Sequence, residues 1–207
     1  MARPALQAEE IASFRESLCD VALRLFAERG FRAATLRSLA AELGCSAATP
    51  YRYFDSKAEI FAAVRARGFD RFRGYLEARL TGCTTPAEEV REVSRAYLEY
   101  ACREPHAFRI MFQLEPPESE GVSSDRESEA RTWEVVYGCV RRAIESRDLA
   151  GSPNTAAHLF WASVHGIVSL HLAGKLTAGR SAEELIEPMI EALMTAHRPG
   201  GTAERKT

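Results

Sequence analysis

The chain is predicted to be all-α, on three observations. Apolar residues recur at the three- and four-residue spacing of a helix face through most of its 207 residues. Helix-start signals punctuate it at Ser56-Lys57-Ala58-Glu59, Thr85-Pro86-Ala87-Glu88, Ser152-Pro153 and Ser181-Ala182-Glu183-Glu184. The stretch from Thr35 to Lys57, TLRSLAAELGCSAATPYRYFDSK, reads as two short helices meeting at a tight turn, with another helix opening just beyond. Nine helices are expected in all.

Residues 1–8 are expected to be a loose arm. From Ile11 to Arg29, Phe14, Leu18, Val21, Ala22, Leu25 and Phe26 line one face of an amphipathic helix. Gly30 stands where a left-handed cap belongs, and Phe31 can fold back on the last turn. Leu36, Leu39, Ala40 and Leu43 make the face of a second helix, capped by Thr35 and ended by Gly44. After the turn Gly44-Cys45-Ser46, residues Ala47 to Phe54 are expected to form a third helix of about 12 Å. That length fits a DNA major groove. Two helices joined by a glycine-containing turn of this size are the helix-turn-helix pattern.

The polar residues of this stretch suit a phosphate surface. Ser46 can cap the third helix, whose free N–H groups and dipole attract an anion. Thr49, Tyr51 and Tyr53 supply hydroxyls, Arg52 and Lys57 supply charge, and Arg37 on the preceding helix points toward the same groove. Pro50 falls inside the expected helix, where it removes one backbone hydrogen bond, so the first turn should be loosened or the cap shifted.

A fourth helix from about Ser56 to Leu80, roughly 35 Å long, has Ile60, Phe61, Val64, Phe72, Tyr75, Leu76 and Leu80 on one face. Most of Arg65, Arg67, Arg71 and Arg73 are read as its solvated side. A fifth runs to about Arg103 with Val90, Val93, Tyr97 and Tyr100, and a short sixth starts at Pro105. Residues 115–123, EPPESEGVS, are expected to be a mobile acidic loop. A seventh helix spans about Ser124 to Arg147. The eighth, after Ser152-Pro153, is apolar around nearly its whole circumference, which calls for burial on all sides and hence a second subunit. The ninth follows Ser181, with Pro188 expected to bend it. The tail is polar.

The formal net charge of −2 divides unevenly: residues 1–79 carry 13 Lys and Arg against 10 Asp and Glu, and the remainder 14 against 19. The five cysteines are scattered and form no CxxC pair, so they are read as reduced thiols, with Cys83 the candidate for redox sensing. No apolar run reaches the length of a membrane span, and MARPALQAEE has no signal-peptide core, so a cytoplasmic location is expected. No nucleophile elbow, phosphate loop or HExxH motif is present, and no enzyme is expected.

From Phe14 to Phe61 the chain resembles the TetR/AcrR family of transcriptional regulators, through LFAERGFRAAT, LRSLAAELGCS and the pattern Thr49-x-Tyr51-x-Tyr53-Phe54-x-Ser56-Lys57. The resemblance implies a dimeric repressor whose recognition helix enters the major groove and whose C-terminal domain binds a small effector. By position it implies backbone-phosphate contacts for Thr49, Tyr51 and Lys57 and base-facing places for Arg37, Ala47, Ala48 and Arg52. Pro50 departs from the family, which often has an aliphatic residue there. Ala47 and Ala48 can touch a thymine methyl but read no other base edge, so readout leans on Arg52, Arg37 and DNA shape.

Phe160-Trp161-Ala162-Ser163-Val164-His165-Gly166-Ile167 resembles the Trp…His-Gly motif (WHG class) of some TetR-like C-terminal domains. Phe108, Met111, Phe112, Trp133, Tyr137, Trp161 and His165 are the candidates to line an effector pocket. His106, His158, His165 and His171 have no metal-ligand spacing, so no metal and no cofactor are expected. The expected organisation is a DNA-binding head over residues 1–57, an effector-binding and dimerisation domain over 58–198, and a disordered tail over 199–207. The partners implied are a palindromic duplex operator, a second copy of the chain through helices near 153–175 and 181–197, and a small-molecule effector. The alternative is a helical scaffolding protein without specific DNA binding.

Overall fold

The computed structural model describes residues 8–114 and 123–200. Nearly all of the expected N-terminal arm and of the acidic loop, and most of the polar tail, lie outside the described residues. Within them the chain is all-helical, with eight α-helices and one 3-10 turn. The helices are α1 (Ala8–Ala33), α2 (Leu36–Glu42), α3 (Lys57–Leu80), α4 (Pro86–Arg103), α5 (Pro105–Phe112), α6 (Ser123–Glu145), α7 (Pro153–Leu172) and α8 (Ala182–Ala196). They fall into two compact units, Met1–Asp70 with His106–Glu129, and Arg71–Pro105 with Ala130–Thr207.

In the first unit, Leu18, Ala22, Leu25 and Phe26 of α1 are fully buried against Leu39, Phe54, Ile60, Phe61 and Ile110. Gly30 breaks α1 with φ 80° and ψ 161°, a region open in practice only to glycine. The break lets Phe31 turn back, its ring 5.6 Å from Phe26 and 5.3 Å edge-on to Phe61. Thr35 caps α2 through a reciprocal box with Ser38. Arg65 and Arg67 correct the solvated-face expectation. Arg65 donates to the Met111 carbonyl at 3.1 Å, to Asp125 at 3.0 Å and to Glu129 at 3.1 Å. Arg67 donates to the Glu16 carbonyl and to Asp20, each at 3.1 Å. A helix-face reading cannot see partners that far along the chain.

In the second unit, α4, α7 and α8 pack on one another. Val90, Tyr97 and Ala101 of α4 are buried with Phe160, Val164 and Val168 of α7 and Ile186, Ile190 and Met194 of α8. Thr85 and Ser181 each make a full capping box, and Ser152 caps α7. Arg95 forks onto Glu187 at 2.5 and 2.8 Å, and Arg91 pairs with Glu191, tying α4 to α8. The α8 helix continues through Pro188.

The expected third helix, Ala47–Phe54, does not form. Residues 47–49 are turns and only Pro50–Arg52 is helical, as a 3-10 turn. Pro50 has no N–H to give the Ser46 carbonyl, so Thr49 N takes that carbonyl at 2.9 Å. The same tighter pattern continues, with Arg52 N on Thr49 O and Tyr53 N on Pro50 O, each at 3.0 Å.

Candidate nucleic-acid interface

The reading segment is held from below by its apolar residues. Pro50 and Phe54 are buried, so proline fills the place of an aliphatic side chain even as it shortens the helix. The Tyr53 ring stacks on Phe14 with centroids 4.1 Å apart, and the Arg15 guanidinium donates to the Tyr53 carbonyl while lying 3.9 Å over Phe54. Arg15 is therefore a support that the sequence reading missed, whereas Phe14 stands on the predicted apolar face of α1 with no partner assigned. The only signal for Arg15 was its place about one helical turn before the buried Leu18.

What remains outward is polar or small, apart from one large ring. Tyr51 is 59% exposed, unusual for so large a ring. Arg37, Ala47, Ala48 and Arg52 are exposed as well. Thr35, Leu36, Arg37, Tyr51, Asp55, Ser56 and Lys57 line one open depression, which brings three of the expected DNA-contact residues together.

Ser46, Tyr53 and Lys57 are turned to local work. Ser46 does not cap a helix: its hydroxyl lies 2.9 Å from the Thr49 hydroxyl. Tyr53 is half-buried on Phe14. Lys57 donates from Nζ to the carbonyls of Phe31 at 2.8 Å and Ala34 at 3.0 Å, and sits 4.2 Å over the Phe31 ring. It thereby satisfies two carbonyls at the broken end of α1. Burial lowers its ammonium below the ordinary lysine value.

The seven expected effector residues divide between the units. Phe108, Met111 and Phe112 belong to the first, where Phe112 meets Phe108 at 4.9 Å and Phe69 at 5.4 Å. Trp133, Tyr137, Trp161 and His165 belong to the second, where Trp133 lies 5.9 Å from Trp161 and 6.5 Å from Tyr137, and Trp161 lies 5.7 Å from His165. There Trp161 joins Val90, Val93, Ser94, Tyr97, Val136, Val140, Phe160 and Val164 around a cavity of about 10 Å³, room for one water at most. Tyr97, which the sequence reading places on a helix face but not at a pocket, is 2.9 Å through its hydroxyl from His165 Nδ1. Burial lowers the His165 imidazole, and burial raises the Tyr97 phenol. Also in this unit, burial and then Glu92, Glu89 and Glu88 push the Cys83 thiol up, the opposite of an activated thiolate.

Family models match two stretches. Residues 18–64 match the bacterial regulatory proteins of the tetR family, and residues 90–193 match the tetracyclin repressor-like C-terminal domain. The chain belongs to the TetR family. By that family it is a bacterial regulatory protein, and the matched residues 18–64 include the depression-lining stretch described above. The HTH-type transcriptional repressor KstR2 of Mycolicibacterium smegmatis is 27% identical over 128 residues, which cover 59% of this chain and 62% of that protein. The match thus spans under two thirds of that relative. A Rhodococcus sp. RHA1 protein of unknown function superposes with TM-score 0.80 at 21% identity, covering 96% of this chain and all of that one. FadR from Bacillus subtilis, solved in complex with stearoyl-CoA, superposes with TM-score 0.73 at 17% identity, covering 87% and 97%. Among the described residues no helix is long and apolar enough to cross a membrane.

Proposed function

We propose that this TetR-family chain is a homodimeric repressor that binds a palindromic DNA operator and is released by an apolar small molecule held in its second unit. The observation that carries the DNA half is the exposed row of Arg37, Tyr51 and Arg52 above buried Pro50, Phe54 and Leu39. A rigid apolar base with polar and cationic tips is what a groove-reading surface requires. Thr49, Tyr51 and Lys57 take phosphates, Lys57 through the third N–H of an ammonium whose other two are already placed. Ser46 and Tyr53 shape the turn, and Ala47 and Ala48 face the bases.

The repressor reading has the support of the KstR2 likeness, and the apolar effector that of the stearoyl-CoA complex of FadR. It also agrees with the chemistry of Trp161 on a valine-rich cavity, which a ligand enters only by parting the helices, and of Trp133 and His165 against Trp161 and Tyr137 against Trp133.

Dimerisation through α7 and α8 has its support in Leu159 and Leu170, 44% and 47% exposed on a helix otherwise rich in buried apolar residues. Two such chains would present two reading segments to half-sites about one helical turn apart. Titrating salt against the binding of duplex DNA tests the reading. The logarithm of affinity should fall linearly with the logarithm of salt, with a slope smaller by about one when a phosphate-contacting lysine is removed. Binding indifferent to salt would favour the scaffolding alternative.

A further inference from the structure

We propose that Cys102, His171 and Glu183 form a site for a divalent transition-metal ion, zinc being the natural fit. The three residues come from three helices of one unit: Cys102 near the end of α4, His171 in the last turn of α7 and Glu183 in the first turn of α8. Their donor atoms all lie within 4.8 Å of one another. Around a tetrahedral ion with bonds of about 2.0–2.3 Å, donors sit about 3.3–3.7 Å apart. Closing onto the ion therefore needs side-chain rotation and no movement of helices. The frame is stiff, because α4, α7 and α8 pack on one another and the Arg95–Glu187 and Arg91–Glu191 pairs bind α4 to α8.

The donor set selects the ion. A thiolate and an imidazole favour a borderline-soft cation over magnesium or calcium, which take oxygen ligands. Thiolate and carboxylate together balance the two positive charges. Three protein donors leave a fourth position for water, and Glu183, exposed, leaves the site reachable from solvent. Helix-end electrostatics explains part of the cluster without a metal. Glu183 suits the start of α8, where its carboxyl is held down by its own backbone N–H, then the Ser181 hydroxyl, then His171. That account has no place for a thiol facing the pair.

The proposal is independent of the DNA-binding reading, and its test uses no DNA. Reduced full-length protein is titrated with Co²⁺. One ion per chain should bind with a thiolate-to-cobalt charge-transfer band, and Zn²⁺ should bleach it. Cys102→Ser should abolish the band, whereas Cys83→Ser should keep it. His171→Asn and Glu183→Gln should weaken binding by at least about tenfold, the scale on which even outer-shell partners of a metal act. Zn²⁺ should raise the thermal midpoint of the wild type and leave that of Cys102→Ser, folded by circular dichroism, unmoved. No cobalt band in the wild type, a band surviving in Cys102→Ser, or equal zinc stabilisation of both proteins would overturn the site.

Discussion

Lys57 has a structural place beside the phosphate contact proposed for it. Its ammonium joins the Phe31 and Ala34 carbonyls where Gly30 breaks α1. Removing it strands two part-buried acceptors, so Lys57→Met should cost about 1–3 kcal/mol of stability in urea denaturation. A pure phosphate contact would leave stability unchanged. Arg52 is the opposite case: it is exposed on the 3-10 turn. Arg52→Ala should leave the unfolding midpoint alone and lower operator affinity by about 1–3 kcal/mol in fluorescence anisotropy if it contacts a base. His165 makes a pH prediction. Its folded value is depressed by burial, so the unfolded chain takes up the proton first as pH falls. Stability should therefore decline as pH drops below about 6.5, and His165→Gln should flatten that slope in denaturation series.

At the scale of elements, periodicity and caps made most helices legible, because burial follows the helical repeat and the first turn needs its donors met. Leu18, Leu25 and Phe26 are buried on the face their spacing marks, and Thr35, Thr85 and Ser181 cap where their boxes stand. The reading segment was less legible. Its residues carry the family pattern, but Pro50 lies four residues past Ser46 and turns an α-helix into a 3-10 turn. Contacts made across the fold were not legible at all. Arg65 finds Asp125 sixty residues on, and Tyr97 finds His165 sixty-eight residues on. Helix ends add one prediction. Arg147 closes α6 at φ 65°, a left-handed place that costs a residue with a Cβ, while Leu149 N reaches back to the Ala143 carbonyl at 2.9 Å. Arg147→Gly keeps that closure and should raise stability by up to about 1 kcal/mol, measured by urea denaturation.

For the whole molecule, the exposed leucines of α7 matter most. Leu159 and Leu170 are large, apolar and only about half covered in the single chain. A charged residue at either place should split the proposed dimer while leaving each chain helical. Leu170→Glu is expected to sediment as a monomer and to lose most operator affinity, since each half-site would then be held alone. In the proposed function, two such chains read one DNA sequence through the Arg37, Tyr51 and Arg52 surface. The most direct test is selection of bound duplexes from a random DNA pool by the purified protein. One palindrome should be enriched, with half-sites about a helical turn apart. Recovery of the pool without sequence preference, even at low salt, would contradict it.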